Sequence, residues 1–155
     1  YPPVISVGAC GWVGEWTVGG WWNGMDVPDP TNPDEFYITD FSARELPEQD
    51  LDVVAPGSWI VGSYQVNSGQ TGYYYLGGTS MASPHVAGVV ALMAEKYSAL
   101  SASEAEVILT GSAIPLGAGS RNIVDPTVGP TSISWGADAI GDGIVDAAEA
   151  LAATP

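Results

Sequence analysis

Hydrophobic residues fall in short blocks punctuated by glycine, proline and acidic runs. Val4-Ile5-Ser6-Val7-Gly8-Ala9 is β-branched and carries glycine near its end, the composition of a strand buried on both faces. Leu51-Asp52-Val53-Val54-Ala55 reads the same way and stops at the Pro56-Gly57 turn signal, and Tyr73-Tyr74-Tyr75-Leu76 makes a third strand. From Pro84 to Tyr97 the pattern turns helical. Proline is tolerated early in a helix, and Gly88 with several alanines thins the surface for close packing, so burial nearly all round is expected. Ser101-Ala102-Ser103-Glu104 is a capping box that starts a second helix, with Gly111 to end it. Gly143-Ile144-Val145 is strand-like, and Asp146 to Ala153 gives a short last helix. The polar, turn-rich stretch from Gly117 to Ser134 predicts a surface loop. This order of elements predicts an α/β fold with a mostly parallel sheet flanked by helices.

The 155 residues fit one domain. Residues from about 10 to 50 read as an insertion on it, first Trp-rich (Trp12, Trp16, Trp21, Trp22) and then acidic. From Asp26 to Asp52 there are nine carboxylates and one base, Arg44, so much of the excess negative charge is local. Over the whole chain 18 carboxylates face only Arg44, Lys96 and Arg121, a net charge of −15 that repels nucleic acid and anionic lipid and attracts cations. A single cysteine, Cys10, excludes an internal disulfide and is expected to be buried. No run approaches the roughly 20 apolar residues of a membrane span. Tyr1-Pro2-Pro3 has neither a start Met nor the basic flank of a signal peptide, so the chain is expected to begin in mid-protein.

The candidate chemistry sits in Gly77-Gly78-Thr79-Ser80-Met81-Ala82-Ser83-Pro84-His85-Val86-Ala87-Gly88. Two glycines let the backbone turn tightly after a strand. A helix starting at or just after Ser80 then aims its free N–H groups and positive dipole end at the hydroxyl, which suits a nucleophile and a developing oxyanion. The bland alternative is a serine that merely caps the helix. The sole histidine, His85, lies five residues on, about 500° of helical rotation away, and is expected to be a core histidine satisfied by hydrogen bonds.

The run Gly78-Thr79-Ser80-Met81-Ala82-Ser83-Pro84-His85-Val86-Ala87-Gly88 resembles the nucleophile motif of the subtilisin-like serine proteases, the subtilases. Tyr1 to Ala9, Phe41-Ser42, Leu51 to Gly57, Leu100 to Val107 and Gly141 to Ala147 are similar to further family segments in the family's order. The resemblance implies a serine endopeptidase, with Ser80 as nucleophile and its backbone N–H as one oxyanion donor. The aspartate, histidine and asparagine motifs of the family have no match in this chain. It therefore looks like the C-terminal part of a catalytic domain. Alone it is expected to be almost inert, needing an N-terminal half or another copy of the chain to act on peptide or protein substrates. The resemblance also implies calcium, held by the carbonyls of Pro2 and Val4 and the carboxylate of Asp52. The spacing of Asp138, Asp142, Asp146 and Glu149 is EF-hand-like, but Ile140 stands where a ligand belongs. An extracellular or cell-envelope location follows from the resemblance. The related sedolisins, a pseudo-protease and a carbohydrate-binding or adhesive module that uses the tryptophans are the competing readings.

Overall fold

The computed structural model describes residues 4–155. Three strands make its central sheet. β1 (Val7–Trp12) is the middle one; two further pieces, β2 (Trp16–Thr17) and β3 (Trp21–Trp22), pair with each other. β4 (Phe36–Ile38) lies antiparallel to β1, pairing Trp12 with Phe36 and Cys10 with Ile38. β5 (Val53–Pro56) lies parallel to it, pairing Val7 with Val53 and Cys10 with Pro56. Ile144 extends the parallel side, since Val54 N–H donates to Gly143 O at 2.8 Å and Val145 N–H to Val54 O at 2.9 Å. The α/β character is that expected, and the sheet is mixed.

The period-two alternation of strands separates the core into two faces. Ala9, Val53 and Ala55 face the helices and are fully buried there with Ala82, Met93, Leu109 and Ala150. Cys10 and Val54 face the other way, with Tyr37, Ile38, Leu116, Trp135 and Ile144. Each fully buried aliphatic of this kind contributes about 1.5–3 kcal/mol.

Helix α1 (Thr79–Lys96) crosses the sheet, followed by α2 (Ala102–Gly111) and α3 (Ala147–Ala153). The capping box is present as the sequence predicts: Glu104 N–H donates to Ser101 Oγ at 3.2 Å, and Ser101 N–H to Glu104 Oε2 at 2.8 Å. Asp146 caps α3 by accepting from Ala148 and Glu149 N–H. No helix among the described residues is long and apolar enough to cross a membrane.

Two expectations are corrected, and the strand expected at Tyr73 to Leu76 is present. α1 is not buried all round: Ala82, Val86, Val89 and Met93 make a single buried stripe, while His85, Gly88 and Leu92 lie exposed. The described residues provide only one layer for it to pack on. The stretch expected to be a loop forms an antiparallel hairpin, β8 (Gly119–Asp125) with β9 (Gly129–Trp135). Its inward face meets the core chiefly through Ile123 and Trp135, too few positions to show as hydrophobic alternation. Tyr73 to Leu76 is the end of one arm of a second hairpin, β6 (Ile60–Asn67) with β7 (Gln70–Leu76), whose Tyr64 and Tyr73 are exposed.

Candidate active site

Ser80 is the second residue of α1 and its side chain is exposed. The N-cap is Gly78, at φ 157° and ψ 159°, a region essentially restricted to glycine. Gly78 N–H donates to Gly57 O at 2.8 Å, which ties the start of α1 to the end of β5. A Cβ on Gly57 would stand 2.7 Å from Ala9 Cβ and 2.8 Å from Gly78 O, so glycine is what allows this approach. Met81 and Ala82 N–H both end on Gly78 O, at 3.0 and 3.3 Å. Among the described residues the N–H of Ser80 finds no backbone acceptor and its hydroxyl forms no hydrogen bond. Capping is thus not what Ser80 does here. Pro84 adds to the polarity of this turn, having no N–H to give the Ser80 carbonyl four residues back.

His85 is exposed, a correction to the expected core histidine, although it is hydrogen-bonded: its Nδ1 lies 2.8 Å from Met81 O. It lines one shallow hollow with Ser80, Ile60, Met81 and Pro84, and no hydrogen bond joins it to Ser80 among the described residues. The ring is tied back to its own helix.

The expected insertion contributes Trp16 and Trp22 to an aromatic cluster that Trp59 and Tyr75 complete. Trp16 meets Trp22, Trp59 and Tyr75 with ring centroids 5.3, 5.4 and 5.4 Å apart. Trp59 takes φ 47°, a left-handed conformation that costs a bulky residue about 1–3 kcal/mol. Glu15, in the same segment as Trp16, is buried. Its Oε1 accepts from Trp12 N–H at 3.1 Å, and its Oε2 from Ser58 Oγ–H at 2.9 Å and Tyr37 O–H at 3.2 Å. Burial pushes its pKa up to about 7 against these three hydrogen bonds, which pull it down. Burial, with Glu15 nearby, likewise pushes the Cys10 thiol up to about 12, so it is inert packing. Sequence reasoning missed Glu15, whose one signal is a carboxylate set inside a tryptophan run.

Of the residues expected to hold calcium, Pro2 lies outside the described residues. Val4 is exposed, and Asp52 Oδ2 accepts from Ser6 N–H at 2.6 Å. Both line a polar hollow of about 450 Å³ with Glu48, Asp50 and Glu106. Among the described residues no three acidic side chains converge as a metal cluster by themselves, so an ion there would draw on main-chain carbonyls too. That donor set, all hard oxygens, fits calcium in kind. Asp146 of the EF-hand-like run is engaged as the α3 cap.

Residues 1–146 match the Subtilase family. The chain belongs to the Subtilase family. Subtilisin DY from Bacillus licheniformis is 47% identical to it over 68 residues, 44% of this subtilase chain and 23% of that protein. Thermitase from Thermoactinomyces vulgaris is 52% identical over 46 residues, 30% of the chain and 15% of that protein. The matches thus span under a quarter of these relatives' own lengths. Fervidolysin from Fervidobacterium pennivorans, a keratinolytic enzyme related to subtilisin, superposes on all of the subtilase chain and 20% of its own, with a TM-score of 0.61 and 25% identity. The prenylagaramide maturation protease superposes with a TM-score of 0.59 at 22% identity and shares the fold.

Proposed function

We propose that the chain is the serine-bearing part of an extracellular or cell-envelope subtilisin-like endopeptidase, with Ser80 as nucleophile. Ser80 Oγ attacks a peptide carbonyl and its proton passes to an imidazole. The C–N bond breaks, the amine leaves with that proton, and water then hydrolyses the acyl-enzyme on Ser80. The Ser80 N–H and the start of α1 stabilise the oxyanion. The observation that carries this reading is the exposed, unbonded Ser80 hydroxyl beside an unpaired N–H at a helix start.

His85 is held by Met81 O, so the base comes from elsewhere: an N-terminal half or another chain seated on the exposed face of α1. The edge of β1 is a second place for that docking, since β4 pairs with Cys10 to Trp12 and not with Val7 to Ala9. Calcium, when bound, would supply fixed positive charge between the segment leading into β1 and the residue that precedes β5. Val4 and Asp52 would hold it, with Pro2 completing the set by family resemblance.

A fluorophosphonate probe tests the nucleophile. With a subtilase N-terminal half added, Ser80 should be labelled and Ser80→Ala should not. Equal labelling with and without that half would show that no outside base is required. Absence of labelling in both cases would favour a non-catalytic role for the fold.

A further inference from the structure

Glu15 has a feature that bracing does not explain. It is 7% exposed, yet among the described residues no cation faces it. Arg44 donates to the carbonyls of Ser42 and Ala43, Lys96 to those of Leu151 and Thr154, and Arg121 pairs with Asp34, the one ion pair among the described residues. Buried carboxylates are ordinarily paired or neutralised, because removing the charge from water costs several kcal/mol. A brace between Trp12, Ser58 and Tyr37 needs only acceptors.

Glu15 also lines a cavity of about 320 Å³, with Trp12, Trp22, Met25, Trp59 and Ile60 among its walls. Met25, 74% exposed, and the exposed Asp26 mark its mouth. Ile60 lines both this cavity and the Ser80 hollow, so the two are neighbours. An extended peptide advances about 3.3 Å per residue, and one crossing the hollow would bring a neighbouring side chain to the cavity.

We propose that this cavity binds a lysine or arginine side chain of the peptide that reaches Ser80, with Glu15 as its counter-charge. The proposal rests on the protease reading only in taking that peptide to be a substrate. A long basic side chain matches the whole lining: its methylenes lie on the apolar walls, its cation meets the indole faces, and its charge neutralises Glu15. A neutral apolar side chain would remove the last water from Glu15 and give no charge in return. The net charge of −15 further concentrates cationic peptides at the surface.

The test is a tryptophan-fluorescence titration of the chain at fixed ionic strength. The probes are N-acetyl-arginine methylamide and its citrulline and norleucine counterparts. The arginine probe should bind saturably and about tenfold or more tighter than either neutral one, as expected for a charge pair worth about 1.4 kcal/mol or more. Glu15→Gln, checked for folding by near-UV circular dichroism, should bring the three probes within about threefold of one another. Met25→Lys, at an exposed position, should do the same by placing a resident cation at the mouth, and it decides the matter if Glu15→Gln does not fold. Ser80→Ala should bind all three as the parent does, which separates this result from any failure of Ser80 labelling. Equal binding of norleucine and arginine by the parent chain, no saturable arginine response, or an arginine preference that survives in the folded variants would overturn the proposal.

Discussion

Glu15 couples the insertion to pH. Its pKa when folded, about 7, lies above the ordinary 4.5. An acid that is harder to ionise when folded holds more protons in the native state. Its contribution to stability is therefore full below about pH 4.5 and is lost as pH rises through 7. The groups facing it are Cys10 on β1, whose thiol stays neutral in that window, Tyr37 on β4, also pushed up, and Asp26 at the cavity mouth. In urea unfolding from pH 4.5 to 8, the parent should lose on the order of 3 kcal/mol relative to Glu15→Gln. Parallel pH curves would contradict this. Met81 offers a second test at this scale. Its sulfur lines the hollow beside Ser80, and peroxide converts such a thioether to a polar sulfoxide. Reconstituted activity should fall after peroxide treatment in step with Met81 oxidation measured by mass spectrometry, and unchanged turnover of the oxidised protein would refute it. The glycine turn and helix start around Ser80 were legible from the motif. Glu15 was not, because its meaning depends on Ser58 and Tyr37, 43 and 22 residues away.

Among the elements, those with local signals were the most legible. The α2 capping box is complete within four residues, and the structure contains both of its reciprocal bonds. Ser101→Ala should cost about 1 kcal/mol in thermal or urea unfolding. A change within 0.2 kcal/mol would mean that tertiary contacts alone hold this turn. β5 was legible for a similar reason, with its apolar run ended by Pro56-Gly57. The β8–β9 hairpin was not, because its pattern is mostly half-buried and exposed positions alternating with little hydrophobic contrast. β1 begins later than its β-branched run suggests and continues to Trp12, because β4 pairs with its far end.

At the scale of the whole molecule, the exposed face of α1 is where the proposed partner half would meet the chain. A Cβ on Gly88 would have nothing within 4 Å, and Leu92 is 49% exposed. Gly88→Leu should leave the isolated chain as stable or up to about 1 kcal/mol more so, since glycine weakens a helix interior. If a complementary half packs on that face, the same substitution should lower its affinity roughly 5- to 100-fold through overpacking of about 1–3 kcal/mol. Titration of the half against Ser80 labelling measures this, and undiminished assembly would place the partner elsewhere.

The sequence by itself determined the family, the place of Ser80 and the start of α2, because each is written in a few adjacent residues whose physics is local. Only the tertiary structure decided that His85 faces solvent while bonded to its own helix, and that α1 buries one stripe. It alone sets Glu15 at the side of an aromatic cavity that shares Ile60 with the Ser80 hollow. Those outcomes depend on which distant segments come to lie against a residue, and on the dielectric they create around it, which no short stretch of chain specifies.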